Sequence, residues 1–200
     1  FKDDFNISFY FKPSQTNINT ITGSANNSKY YFIAKADTKT IVPSPSEGLS
    51  ETLSTFASGN LQYIDVPAEN KYPFKVYYKH DANNTGSIFF ERSNGSLTSL
   101  ISSPLFYSES LNETIHISVQ KAGNILEIYK NGIKVASGSD IDPVVCKDQP
   151  PINEANLYIG TIGNIDSYLN GDLSQIMIWN EALTNTQIQN VSQSIIGTPY

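Results

Sequence analysis

The sequence predicts an all-β fold, and three features carry that prediction. Tyr and Phe are abundant, with 12 and 10 copies against single copies of Met and Trp, a composition typical of strand-forming segments. Apolar and polar residues alternate along many short segments, as in strands with one buried face. Asn-Gly pairs at 94–95 and 131–132 mark tight turns. Because 200 residues suit one β-sandwich or barrel, we predict a single domain over residues 1–200.

The first half of the chain contains several predicted strands. They lie at residues 5–11, 30–34, 74–79, 87–91 and 97–101. The pattern is weak from 37 to 70, where prolines and glycines are frequent. We expect that segment to hold either one short strand near 61–66 or an insertion.

The middle of the chain predicts a meander of three antiparallel strands. Over residues 115–120, Ile and Val alternate with His, Ser and Gln, so one face is apolar and the other polar. Residues 121–124 supply a turn, and Ile125–Lys130 forms the second strand. Asn131-Gly132 predicts a type I′ turn, because both of its central residues need positive φ. The third strand then follows from Ile133 to Ala136.

The last quarter predicts two strands and one helix. The strands lie at residues 157–160 and 173–179, after a Pro-containing loop over 139–154. Thr184 can cap the helix, and Gln187 three residues later completes a capping box. Apolar residues then recur at helical spacing to dock on the sheets: Ile188, Val191 and Ile195.

Charge and hydropathy exclude several classes of partner. The formal net charge is −6 and no basic patch is present, which argues against nucleic-acid binding. No apolar run approaches the ~18 residues that span a bilayer, so we expect no membrane insertion. The chain opens on Phe1, and we expect it to be a fragment or processed domain of a larger protein with flanking domains. The single cysteine, Cys146, leaves both a free thiol and a bond to a region outside this chain open.

Several segments together resemble the concanavalin A-like lectin/glucanase superfamily, in its laminin G-like and pentraxin-like branch. FNISFYFKP at 5–13 is similar to the opening strand "F-T-I-S-F-W-V-K-P". HISV at 116–119 and LEIYKNG at 126–132 resemble the hairpin "H-V-A-V … L-Y-V-D-G". LYIG at 157–160, followed by residues 171–188, resembles the closing segment. The resemblance implies a two-sheet antiparallel jelly-roll β-sandwich with a short C-terminal helix, and sites on a sheet face or in rim loops.

The chain also departs from the family pattern. Thr114 stands where the family usually has Trp, and Ser174-Gln175 stands where it usually has an acidic pair. The strand that usually precedes the opening strand is missing or truncated, which again suggests a fragment of a larger protein.

The sequence does not favour an enzyme. Glucanases of this superfamily place several carboxylates on one strand face, as Glu-x-Asp-x-x-Glu. No such run occurs, and Glu91 and Glu127 are isolated on their strands. No Gly-x-Ser-x-Gly elbow is present either. A degenerate glucanase-like enzyme would need a second carboxylate brought close by the fold.

Calcium is a candidate cofactor, because related sandwiches hold Ca²⁺ in rim loops with Asp, Asn and carbonyl ligands. The candidate metal ligands are Asp81, Asp140, Asp142 and Asp166. The alternative is that these residues serve as ordinary turn formers. The missing acidic pair weakens the calcium hypothesis.

Sugar recognition pairs a flat ring face with Asn or Asp hydrogen bonds. If Phe74, Val76 and Tyr78 face the core, Tyr77 faces outward. The candidate ligand-binding residues are Tyr77, Phe89, Tyr129, Asn83 and Asn84, with Glu91 beside Phe89 and Glu127 beside Tyr129. We expect Trp179 to pack, and His116 to be an ordinary surface or hydrogen-bonded histidine.

Two functional hypotheses follow. The first is a non-catalytic carbohydrate-binding or adhesion module of a larger surface protein, with glycans as partners and Ca²⁺ as a candidate aid. The alternative is a structural or protein-interaction module of a cell-surface or virion-surface assembly without a glycan ligand. Both place the chain outside the cell or on a cell or virion surface.

Overall fold

The computed structural model describes residues 3–13, 29–36, 38–41, 64–67, 71–80, 85–94, 97–104, 106–107, 113–140, 156–162, 169 and 171–194. These residues form thirteen strands and one helix. The strands are β1 (Phe5–Pro13), β2 (Lys29–Ala36), β3 (Thr38–Ile41), β4 (Ile64–Pro67), β5 (Lys71–His80), β6 (Thr85–Asn94), β7 (Thr98–Ser102), β8 (Phe106–Tyr107), β9 (Ile115–Ala122), β10 (Ile125–Lys130), β11 (Ile133–Ser139), β12 (Asn156–Ile159) and β13 (Gly171–Trp179). The helix is α1 (Asn185–Gln193).

Two antiparallel sheets build a jelly-roll β-sandwich, as the sequence predicts. Sheet I has the order β11-β10-β9-β1-β13. Sheet II has the order β12-β2-β5-β6-β7, with the short β8 also paired to β6. In sheet I, β1 lies between β9 and β13, so the first and last of the described strands pair with each other.

The predicted central meander is confirmed as β9, β10 and β11. Asn131 and Gly132 have φ of 50° and 78°, the left-handed conformation that the type I′ turn requires. The third strand continues to Ser139, beyond the predicted end at Ala136. Lys121 and Ala122, which we assigned to a turn, are instead the last residues of β9.

The segment over 37–70, where the sequence pattern is weak, contains two short strands among its described residues. β3 and β4 pair antiparallel, with Thr38 opposite Pro67 and Ile41 opposite Ile64, in a small sheet of their own. Of the two alternatives for this segment, β4 corresponds to the short strand near residues 61–66, and β3 was not predicted. Neither strand has enough residues for alternation to be visible.

The core lies between the two large sheets and is rich in aromatic rings. β1 contributes every second residue from Phe5 to Phe11, and β2, β5 and β6 of sheet II supply the facing side chains. The Phe5 ring lies 5.7 Å from that of Phe74 and 6.2 Å from that of Phe90, the latter edge to face. Such contacts add to the apolar area that the rings bury.

Helix α1 begins as predicted. Gln187 N donates to the Thr184 hydroxyl, and Thr184 N donates to Gln187 Oε1, which is a complete capping box. Ile188 packs with Tyr129, Leu183 and Trp179 on the outer side of sheet I, so the expectation that Trp179 packs is confirmed. No described helix has the length and hydropathy to cross a membrane.

Candidate ligand-binding face

The side of sheet II that points away from sheet I carries the candidate site, and we call it the outer face. Antiparallel pairing aligns its side chains in cross-strand rows. One row runs through Tyr31, Tyr77 and Phe89, and the next through Lys75 and Glu91. The predicted outward placement of Tyr77, with Phe89 and Glu91 together on the partner strand, is confirmed.

The first row forms an aromatic ladder. The rings of Tyr77 and Phe89 are stacked, with centroids 5.1 Å apart and planes at 6°. Tyr31 lies on the other side of Tyr77, at 5.5 Å and 54°. Tyr77 is only 3 % exposed, whereas Phe89 is half-buried. Phe89 is therefore the ring of this ladder that a ligand can reach, and the Tyr77 ring stacks against it from the neighbouring strand.

Glu91 is held by tyrosine hydroxyls. Tyr77 donates to Glu91 Oε2 at 2.8 Å, and Tyr72 donates to Glu91 Oε1. Burial raises the pKa of Glu91, although Lys29 opposes that effect. The carboxylate is thus fixed in orientation beside Phe89, and Glu91 is 8 % exposed.

The tyrosines around Glu91 stay neutral over a wide pH range. Burial and the nearby Glu91 charge raise the pKa of Tyr31 to about 12. Burial and the neighbouring Tyr31 also raise the pKa of Tyr77. Both phenols therefore keep their protons, and the Tyr77 hydroxyl remains a hydrogen-bond donor to the carboxylate.

Two lysines of the outer face lie beside its aromatic rings. Lys29 Nζ lies 3.8 Å from Glu91 Oε2 and 4.6 Å from the centroid of the Tyr77 ring, and its side chain is 41 % exposed. Lys75 Nζ lies 3.5 Å from the centroid of the Tyr72 ring. Burial and the Lys29 charge lower the pKa of Lys75 to about 8.

Tyr129 does not belong to this face. It lies on the outer side of sheet I, and α1 and Leu183 cover it so that it is 1 % exposed. Its hydroxyl donates to Glu127 at 2.9 Å and lies 2.8 Å from Asn185 Oδ1. The expectation of an accessible ring at Tyr129 is wrong, because the helix occupies the space that a ligand would need.

Most of the candidate calcium ligands lie outside the residues that the structure describes. Asp81, Asp142 and Asp166, and the ligand-binding candidates Asn83 and Asn84, lie outside the described residues. Asp140 is described, and its carboxylate forms a buried ion pair with Arg92. Because the Arg92 guanidinium already pairs with the Asp140 carboxylate, Asp140 is unsuited to bind a metal cation. The described part of the chain contains no group of three or more His, Cys, Asp or Glu that could hold a metal.

Sequence reasoning missed three outer-face residues: Lys29, Tyr31 and Tyr72. Alternation did place Lys75 beside Tyr77, although not as a site residue. Tyr72 could not be found in this way, because the register shifts between Tyr72 and Lys75 and brings an even-numbered residue to the outer face. Tyr31 and Lys29 lay at the start of an apolar run that showed no alternation.

Comparison with known proteins gives one family match and several structural matches. A family model described as the concanavalin A-like lectin/glucanases superfamily matches residues 52–189. No curated protein sequence matches the chain.

Three solved structures are similar in fold. The CBM40 of the Ruminococcus gnavus IT-sialidase has a TM-score of 0.61 at 12 % identity, over 95 % of this chain and 83 % of that one. A heptameric SAP-like pentraxin from Limulus polyphemus has a TM-score of 0.54 at 14 % identity, over 96 % and 70 %. The binding domain of Botulinum neurotoxin DC, solved with rat synaptotagmin II, has a TM-score of 0.57 at 12 % identity, over 96 % and 36 %. The CBM40 has also been solved bound to α2,3-sialyllactose. At these identities the likeness establishes the fold.

Proposed function

Since the chain belongs to the concanavalin A-like lectin/glucanase superfamily, we propose that it is a non-catalytic carbohydrate-binding module of an extracellular or surface protein. The observation that carries the proposal is the outer face. There the partly exposed Phe89 ring is stacked on Tyr77, beside a carboxylate that two tyrosine hydroxyls hold in place.

The mechanism of binding follows from this arrangement. The apolar face of a sugar ring packs on Phe89, as aromatic residues do in many sugar sites. Glu91 then accepts hydrogen bonds from sugar hydroxyls, since each of its oxygens has one lone pair beyond that used by tyrosine. Because the tyrosines fix the carboxylate before the ligand arrives, little side-chain entropy is lost on binding.

The same face argues for binding without hydrolysis. Glycoside hydrolysis uses a pair of carboxyl groups about 5–10 Å apart. Among the described residues of the outer face, Glu91 is the only carboxylate. We therefore propose recognition only, with Ca²⁺ as a candidate aid from rim loops.

A glycan array tests the proposal, with the purified protein applied in calcium and again in chelator. We expect binding to a defined glycan set, and a loss of about tenfold or more in affinity for Phe89→Ala. Ile133→Ala is the matched control, because Ile133 is an exposed apolar side chain on the other sheet. Binding in calcium that is lost in chelator would support the hypothesis that Ca²⁺ assists carbohydrate binding. Silence of the folded protein in both conditions would reject the carbohydrate-binding function.

The second candidate, a protein-interaction module, is favoured by a different observation. The edge strands β12 and β13 expose three large apolar side chains, Leu157, Ile159 and Ile178. Open edges with apolar residues are common at protein interfaces. If the folded protein binds no glycan on the array, the edges at β12 and β13 are the surfaces to test for protein binding.

A further inference from the structure

The outer face holds an ammonium group, that of Lys75, for which the described residues supply no carboxylate partner. Lys75 is 8 % exposed, and its Nζ forms no salt bridge with any carboxylate in the described part of the chain. Its cross-strand neighbour is Glu91, yet the Glu91 oxygens accept from Tyr72 and Tyr77 and lie near Lys29. The contact that the Lys75 ammonium does make is with the face of the Tyr72 ring.

A charge that is nearly buried without a counter-charge is unfavourable, and proteins seldom keep one unless it meets a ligand or a partner ion. The ring of Tyr72 offsets part of that penalty through a cation–π contact. The lowered pKa of Lys75, caused first by burial and then by Lys29, has the sign expected of an ammonium that lacks an anion.

The outer face as a whole carries more positive than negative charge. Its described side chains include Lys29, Lys75 and Lys79 against the single carboxylate of Glu91. The chain has a formal net charge of −6, so the net charge of this face is opposite in sign to that of the whole chain. An anionic ligand would be attracted here, although other parts of the protein repel it.

We propose that Lys75, with Lys29 at the rim, forms an anion-recognition position, and that the glycan ligand is therefore acidic, bearing a carboxylate or sulfate group. This inference rests on the proposed carbohydrate-binding function. The neutral part of the sugar packs on Phe89, and its anionic group lies against the two ammonium groups.

Three matched probes test the inference by calorimetric titration: 3′-sialyllactose, a sulfated lactose and lactose. We expect at least one anionic probe to bind about tenfold or more tightly than lactose, the usual gain from a charge-assisted contact. Lys75→Met should abolish that preference, whereas Lys75→Arg should retain it. Lys12→Met is the matched control, because Lys12 is exposed on sheet I and its loss removes the same charge.

The outcomes separate the two proposals. Equal affinity for lactose and both charged probes would overturn the acidic-ligand inference and leave carbohydrate binding intact. A preference for charged probes that persists in Lys75→Met would also overturn it. Absence of binding to every glycan, on the array and in titration, would overturn carbohydrate binding and this inference together. Thermal melting of each variant shows that it is folded.

The pH dependence of affinity gives a second readout that a purely structural lysine would not produce. The titratable groups that face Lys75 are Lys29 and Tyr31 from β2, Tyr72 and Tyr77 from β5, and Glu91 from β6. With the Lys75 pKa at about 8, affinity for the preferred anionic probe should fall roughly tenfold between pH 7 and pH 9. Lys75→Arg keeps its charge over that range and should show a flatter profile. Identical profiles in the two proteins would contradict a role for Lys75.

Discussion

His116 shows how one residue on a polar strand face can become buried. It lies on β9, where its ring packs against Tyr10 at 5.0 Å and is 1 % exposed. Neither ring nitrogen forms a hydrogen bond with any described residue. Our expectation of a surface or hydrogen-bonded histidine is wrong, because α1 covers this part of sheet I through the bond from the Tyr10 hydroxyl to Val191 O.

Among the residues that the structure describes, no carboxylate stabilises the charged form of His116. Tyr10 faces it from β1, Asn131 from the β10–β11 turn, and α1 carries no charged residue. Glu113, which precedes β9, and Lys130, at the end of β10, interact with each other. Burial therefore lowers the pKa of His116 to about 4.

We predict that His116 makes the fold acid-sensitive. Its folded pKa of about 4 is below the usual 6.5, so the unfolded chain binds the proton more readily and stability is lost as pH falls between these values. The loss should reach about 3 kcal/mol near pH 4. His116→Phe keeps a ring against Tyr10 and should remove this part of the pH dependence in urea unfolding at pH 7.5 and 4.5.

The control is the other histidine of the chain, His80. His80→Gln should retain the full difference in unfolding free energy between the two pH values. If His116→Phe lost as much stability on acidification as the native protein does, buried His116 would not be the source of the sensitivity.

At the scale of elements, helix α1 and the β10–β11 hairpin fit together at a glycine. A Cβ on Gly132 would lie 2.5 Å from Ser192 Oγ and 3.1 Å from Gln189 Cα. Glycine here serves two needs, since the turn requires its φ of 78° and the helix requires the absence of a side chain.

We predict that Gly132→Ala destabilises the protein more than Gly123→Ala does. Both glycines have positive φ, so both alanine variants should lose about 1 kcal/mol from backbone strain. A Cβ on Gly123 meets nothing within 4 Å, whereas one on Gly132 meets the helix. Gly132→Ala should therefore lose roughly 1–2 kcal/mol more in urea unfolding. Equal losses would show that α1 does not rest on the hairpin in solution.

These elements also show what the sequence can and cannot predict. The capping box at Thr184 and Gln187 and the type I′ turn at Asn131 and Gly132 depend on residues that are close in sequence, and both were predicted. The position of α1 over the polar face of sheet I depends on contacts between residues far apart in sequence, such as Tyr129 with Ile188 and Tyr10 with Val191. Asn6, Ser118 and Gln120 form a buried hydrogen-bonded group there, which their polarity alone would have placed in solvent.

The candidate site follows the same division. Alternation along β5 and β6 predicted that Tyr77, Phe89 and Glu91 point outward, and the structure agrees. Alternation could not predict that a register shift brings Tyr72 to the same face, nor that α1 covers Tyr129 on the other sheet. Register shifts and the burial of one element by another depend on how distant segments pair, and a single sequence does not show that pairing.

At the scale of the whole molecule, one ion pair joins the two sheets. Arg92 belongs to β6 in sheet II, and Asp140 directly follows β11 in sheet I. Their side chains are 3 % and 2 % exposed, and Arg92 Nε also donates to Pro73 O at 2.9 Å. The Arg92 guanidinium further lies 5.7 Å from the centroid of the Phe5 ring in the core. The pair therefore closes the sandwich where β7 and β11 lie side by side.

We predict that Asp140→Asn lowers the unfolding free energy by about 3–5 kcal/mol, because it leaves the guanidinium buried without its counter-charge. The matched control is Lys134→Met, which breaks the 2.9 Å pair between Lys134 and Glu127 on the outer side of sheet I. Since Lys134 is well exposed, that change should lose about 1 kcal/mol or less. Urea unfolding at pH 7 compares the two variants. Similar small losses in both would mean that solvent reaches Arg92 and Asp140, and the two sheets would then be held together by the apolar core alone.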